Sequence, residues 1–225
     1  MFEGFSKRTI DFMWGIRLNN QKSWFEAHKS EYQEVFQAPM RALGQEVFGQ
    51  IAAAYPNHGF IHKLSRIYRD ARRVRDGRPY RDCLWFSIER PCPDEWTSTP
   101  VFWFELGPDG WSYGLGFYSA RPATMAKLRA RIDRDPKKFA KFIAPLAKQS
   151  EFQLDGPEYI RPKASPTAQA APWYNKKTLS LICSQPINDE LFSRALVDRL
   201  VAGYKFLMPF YDYFASLDSE LDAKR

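Results

Sequence analysis

Histidine and cysteine are scarce in this chain, at three of each among 225 residues. Metal and thiol chemistry draws heavily on those two side chains, so their scarcity narrows the field. Cys83, Cys92 and Cys183 are an odd number without a zinc spacing, and they read as reduced, mostly structural thiols of a cytoplasmic protein. With His28, His58 and His62 the only imidazoles, a nucleophilic cysteine is not expected. No run of about 18 apolar residues exists, so no membrane span is expected. The opening "MFEGFSKRTIDFMWGIRLNN" lacks the ordered basic, apolar and small-residue regions of a secretory signal. P-loop, "HExxH" and EF-hand patterns are missing. Asp70, Asp76 and Asp82 recur every six residues, but each has arginine neighbours that can neutralise it. No metal and no cofactor is predicted.

What is present points to a folded globule: 44% hydrophobic and 16% aromatic residues, enough to bury a core. The net charge of +7 is unevenly spread. Lys63–Asp82 carries +5 and Arg121–Lys141 carries +6, leaving −4 for the remainder. Such segregation creates local positive fields and favours anionic partners.

Helical signals open the chain. Ser6 is placed to cap a helix through Ile10, Met13 and Trp14 that stops at Asn19-Asn20. "SWFE" at Ser23–Glu26 reads as a capping box. Phe25, His28, Tyr32, Val35 and Phe36 follow at helical spacing, Pro39 suits the first turn of a further helix, and "YPNHG" stops it. The middle changes period. "CLWFSIE", "VFWFEL" and "WSYGLGFYS" read as strands, with "GPDG" turning the second into the third, and "TLSLICS" reads as a fourth. Gly114 and Gly116 bare one face of their strand, against which either a helix or a ligand would pack.

Pro122 and Asp135-Pro136 start two basic amphipathic helices, the second burying Phe139, Phe142, Ile143 and Leu146. Asp155–Lys177 is a long Pro- and Ala-rich loop, a candidate lid. Leu191–Phe214 is a long helical pattern with a kink expected near Pro209. The prediction is a single α+β domain over residues 1–225. Its antiparallel sheet of about four strands is packed by N-terminal, central and C-terminal helices.

Within "RIYRDARRVRDGRPYRD" an extended piece should reach a turn at Asp76-Gly77 and enter the first strand after Pro79. Extension would put Arg66, Tyr68, Asp70 and Arg72 on one side and Ile67, Arg69, Ala71 and Arg73 on the other. Arginine forks suit phosphates and carboxylates, and aspartates among them can hold guanidinium groups in place. The alternative is a structural network, although exposed ion pairs stabilise by only about 0–1 kcal/mol each.

This stretch, preceded by "NNQKSWFEAHKSEYQEVFQAPM", resembles the domain of unknown function 2461 family, a mainly bacterial group. The likeness continues through "GLGFYSARPATMAKLRARI", "WYNKKTLSL" and "LFSRALVDRLVAGYKFLMPFYDYF", nearly the whole chain. Arg69, Asp70, Arg72, Asp76, Pro79 and Tyr80 keep the family pattern. Arg73, Val74, Arg75, Gly77 and Arg81 depart from it, with Arg75 and Arg81 retaining the charge. The resemblance implies one α+β domain and supplies no reaction.

"YRD" is similar to the kinase "HRD" loop, yet Arg75 stands where that loop needs asparagine, "GLGFYS" lacks the third glycine, and no "DFG" occurs. Two readings of different class remain. One is a small anionic ligand held by Arg66, Arg69, Asp70, Arg72, Asp76, Arg78, Tyr80 and Arg81. Lys177 would close from the loop, and His28, Asp70 and Tyr80 are candidate acid–base groups if the site is catalytic. The other is RNA or single-stranded DNA on a basic face, with Tyr68, Tyr80 or Trp173 for stacking. A protein-interaction scaffold is the third and blandest. No membrane partner is expected, and the sequence does not define an oligomeric state.

Overall fold

Ser6 opens the first helix by a reciprocal cap: its Oγ accepts from the Thr9 N–H, and Thr9 Oγ1 accepts from the Ser6 N–H. Helix α1 (Lys7–Leu18) follows, burying Phe12, Met13 and Ile16, and its last turn closes with the Asn19 N–H on the Gly15 carbonyl. The computed structural model describes residues 1–70, 72, 75–92 and 98–222, with side chains to residue 217. Helix α2 (Lys22–Glu31) begins two residues earlier than the expected capping box allows. Gln21 is the N-cap, no side chain caps the helix, and Ser23 and Glu26 lie inside it.

From Tyr32 to Gln37 the helix widens into π-helical winding, and α3 (Ala38–Ala54) then continues it with Pro39 in the first turn. Met40, Leu43, Val47 and Ile51 carry the buried side of α3. Gly59, at φ 61°, supplies the left-handed residue that releases the chain toward the sheet.

The sheet has six strands: β1 (Ile61–Leu64), β2 (Leu84–Glu89), β3 (Pro100–Gly107), β4 (Gly110–Phe117), β5 (Gln153–Asp155) and β6 (Ser180–Pro186), ordered β1-β2-β3-β4-β6-β5. It is a single antiparallel sheet in an α+β protein. The expected count of about four is therefore corrected. Both added strands, β1 and β5, are edges, and they are the shortest at four and three residues. Short polar edges resist pairing with other chains, and they leave little alternation for sequence to reveal. The "GPDG" hairpin is present, with β3 ending at Gly107 and β4 starting at Gly110.

Gly116 explains one of the two bare positions of β4. A Cβ there would stand 2.5 Å from Ser180 Cβ and 2.6 Å from the Leu179 carbonyl oxygen. What packs against Gly116 is the backbone beside β6, in place of the expected helix or ligand.

The chain divides into two compact units. The first comprises Met1–Arg90, Trp103–Tyr113 and Ser184–Lys205. Its core gathers Ile16, Phe36, Leu43, Val47, Phe86, Phe104, Leu200 and Tyr204, all fully buried. The second comprises Pro91–Phe102, Gly114–Cys183 and Phe206–Arg225. It contains α4 (Pro122–Arg134) and α5 (Pro136–Ile143), the latter capped by Asp135, whose carboxylate accepts from the Lys138 N–H. Met125, Leu128, Ile132, Phe210 and Phe214 fill its core. In α5 only Phe139 is buried, while Phe142 and Ile143 of α5, like Leu146 beyond it, stay half-exposed. The short α6 (Ala171–Tyr174) and the long α7 (Ala195–Asp222), which runs on through Pro209, complete the elements.

Candidate functional site

Along the helical run from α2 to α3, Lys29, Gln33, Gln37, Arg41 and Gln45 recur every four residues. In an α-helix each residue advances about 100°, so an i+4 stripe drifts by about 40° per step. The π-helical Tyr32–Gln37 winds less per residue, which offsets that drift in the middle of the stripe. All five side chains consequently line one cavity of about 490 Å³ in the first unit. π-helical turns within α-helices are frequent at functional sites.

The opposite wall comes from β1 and the chain beyond it. β1 pairs with β2 so that His62 and Leu64 share a face with Ile88 and Phe86. Pairing then continues irregularly: Ser65 N–H to the Trp85 carbonyl, Arg81 N–H to the Ile67 carbonyl, and Arg69 N–H to the Pro79 carbonyl. This extended strand carries His62, Leu64, Ser65, Arg66, Ile67 and Tyr68 into the cavity wall. Phe25 and Tyr32 complete the lining. Gly44 lets the two walls close, because a Cβ there would meet His62 Nε2 at 2.3 Å.

The charge of the lining is one-sided. Lys29, Arg41 and Arg66 contribute three cations, and among the described residues no aspartate or glutamate joins them. Lys29 has Glu26 at 3.8 Å on the helix surface. Among the described residues, neither Arg41 nor Arg66 makes an ion pair. Burial pushes the Tyr32 phenol up to about 12, so its hydroxyl stays protonated. Burial also lowers the His62 pKa, favouring the neutral imidazole, and its buried Nε2 has no hydrogen-bond partner among the described residues.

The arginine-rich segment does not converge as a unit. Of the sequence-predicted ligand residues, only Arg66 lines this cavity. Arg69 Nη1 donates to both carboxylate oxygens of Asp76, at 2.8 and 2.9 Å, and to the Arg78 carbonyl. That ion pair, helped by the Arg78 N–H, holds Asp76 below the usual carboxylate range. Arg72, itself exposed, donates to both oxygens of Asp70. Arg78 is exposed, and the Arg81 guanidinium lies 4.6 Å from the Trp85 ring centroid. Tyr80 is buried, its ring stacked on Phe25 at 4.3 Å. Ala71, Arg73 and Val74 lie outside the described residues.

His28 stacks on Trp24 at 4.0 Å, and its Nδ1 pairs with the Trp24 carbonyl. It is not part of the cavity lining. Lys177 belongs to the second unit, where it shares the Tyr159 ring with Arg129 and Lys163. Its neighbour Lys176 is the buried one, with Nζ donating to the Gly156 carbonyl and to Glu158. The segment read as a bare loop is tied together there and again by Asn175, which accepts from the Lys163 N–H. Burial, then Glu105 and Asp82, pushes the Cys83 thiol up to about 12, against any nucleophilic role.

Sequence reasoning passed over Lys29, Gln33, Gln37, Arg41 and Gln45. Their regular spacing was the available signal, but a polar stripe on an amphipathic helix ordinarily faces solvent.

A single antiparallel sheet with helices, carrying a cation-lined cavity beside its β1 edge, defines an α+β protein with one concave candidate site in its first unit. The chain matches the model of DUF2461, described as a conserved hypothetical protein, over residues 8–213, and it belongs to that family. Among curated proteins no match is found.

Proposed function

We propose that the first unit binds a small anionic ligand, bearing phosphate or carboxylate, in the cavity between the α2–α3 helical run and the β1 segment. The observation that carries this reading is the lining itself: Lys29, Arg41 and Arg66, with no carboxylate among the described lining residues. Lys29 has Glu26 at 3.8 Å, but Arg41 and Arg66 pair with no carboxylate among the described residues, and an anion relieves the mutual repulsion of the cations through charge-assisted hydrogen bonds. The volume falls within the roughly 300–1,000 Å³ of small-molecule sites. Arg69, Asp70, Arg72 and Asp76 become bracing pairs at the tip of the strand that delivers Arg66, and Tyr80 anchors that strand to Phe25. Calorimetric titration with inorganic phosphate and phosphorylated metabolites at low ionic strength tests the reading. Binding that weakens in Arg41→Gln and Arg66→Gln supports it, and no heat with any of them, or affinity indifferent to both substitutions, removes it.

A second reading is favoured by a cavity of about 510 Å³ in the second unit, lined by Arg131, Arg134 and Lys138 together with Phe139, Phe142 and Tyr213, and by one carboxylate, Asp135, which caps α5. Cations interleaved with aromatics suit single-stranded nucleic acid. Arg131 is held by the Ser216 hydroxyl and carbonyl, and it lies over Tyr213. Anisotropy with labelled single-stranded RNA and DNA at low salt decides it. Salt-sensitive binding lost in Arg134→Gln/Lys138→Gln supports this reading, and absence of binding removes it.

A further inference from the structure

We infer that the anion bound in the first-unit cavity carries a planar, nitrogen-bearing ring, as a nucleoside monophosphate does. This rests on the anion-binding reading and adds the rest of the ligand. The first observation is Tyr68, which lines the cavity yet is half exposed, at 50%. Its backbone is fixed by the bridge to Tyr80. Its ring meets Phe25 edge-on at 5.6 Å and lies tilted to Tyr80 at 5.4 Å. Edge-on packing braces an aromatic ring without covering both faces, and leaves surface on which a flat group can stack.

The second observation is the choice of polar partners. Cations alone serve a phosphate, but Gln33, Gln37 and Gln45 line the same cavity. Each primary amide offers one acceptor and two donors, the complement of a heterocycle whose edge carries both kinds of atom.

The third is arrangement along the cavity. His62 sits beside Gly44 and Tyr68 beside Phe25, so the β1 segment runs antiparallel to the helical run. Arg66 is two residues from Tyr68, at most about 7 Å along the chain, and both line the cavity. Lys29 stands one helical turn beyond Phe25. Cation and aromatic surface are thus adjacent, at a spacing that one mononucleotide bridges.

The test is calorimetry on the full chain with inorganic phosphate, ribose 5-phosphate and the four ribonucleoside monophosphates. At least one nucleotide is expected to bind roughly tenfold or more tightly than ribose 5-phosphate, the gain that base–aromatic stacking supplies. Tyr68→Ala should abolish that gain and leave ribose 5-phosphate unchanged, with Tyr68→Phe restoring it. Arg66→Gln should weaken both. Ribose 5-phosphate binding as tightly as every nucleotide, or Tyr68→Ala and Tyr68→Phe weakening both probes alike, overturns the ring while leaving the anion reading standing. No Arg66-dependent binding of any probe overturns both.

Discussion

Asn20 pairs with the backbone of Tyr80 in both directions: its Oδ1 accepts the Tyr80 N–H at 3.0 Å, and its Nδ2 donates to the Tyr80 carbonyl at 3.0 Å. A side-chain amide here substitutes for a neighbouring strand. It ties the end of the α1–α2 turn to the strand that returns from the arginine-rich tip, next to the Tyr68–Tyr80 bridge. Asn20→Ala leaves both backbone groups part-buried and unpaired, so a loss of about 1–3 kcal/mol is expected in urea unfolding. Asn20→Asp keeps the acceptor and loses the donor, facing a carbonyl with a carboxylate. It should be no better than alanine. A midpoint for Asn20→Ala equal to that of the parent chain would show that the pairing contributes nothing.

Gly116→Ala is expected to destabilise by at least about 1–3 kcal/mol, the usual cost of overpacking. Its Cβ would press on the Leu179 carbonyl and Ser180 Cα, each at 2.6 Å, and backbone yields less readily than a side-chain tip. Thermal unfolding of the variant measures this directly. A midpoint at or above that of the parent would mean that β4 and the chain entering β6 separate freely.

The helices and the central strands were legible because their signals are redundant: Ser6 ahead of Ile10, Met13 and Trp14, Pro39 in a first turn, "GPDG" between two aromatic strands. The edges were not. "IHKL" puts two polar residues in a four-residue strand, and its identity comes only from pairing with β2. The candidate site divides along the same line. Charge density drew attention to Lys63–Asp82, and the segment does deliver Arg66. Yet density cannot distinguish arginines neutralised locally, as Arg69 and Arg72 are by Asp76 and Asp70, from one presented to a cavity. Arg41 and Lys29 are single charges on helices, and only the closing of β1 against α3 makes them neighbours of Arg66.

Lys176→Met should loosen the 155–177 segment. The lysine is buried, and its ammonium closes the segment by bonding the Gly156 carbonyl and Glu158. Methionine keeps the bulk and removes both bonds, and hydrogen bonds to charged groups contribute about 1.5–3 kcal/mol. Trypsin has a site within the segment at Lys163, which is followed by Ala164, whereas Arg161 precedes Pro162 and is not cut. Faster cleavage there, with far-UV dichroism unchanged, is the expected outcome. An unchanged cleavage rate would show that Asn175 and the backbone bridge between Glu158 and Lys176 suffice alone.

His62 sets a pH dependence whose sign follows from its burial. Its folded-state pKa lies below the ordinary 6.5, so on acidification the unfolded chain takes up the proton first. Stability is therefore constant above about 7, falls as pH drops through 6.5 toward the lowered value, and levels off once the folded state is also protonated. For one proton the slope cannot exceed about 1.4 kcal/mol per pH unit. His62→Gln removes the titrating group, and urea unfolding between pH 5 and 8 should show the slope reduced by up to that amount. If the slope persists unchanged, its source is another group, and the imidazole at Gly44 is not protonated during unfolding in this range.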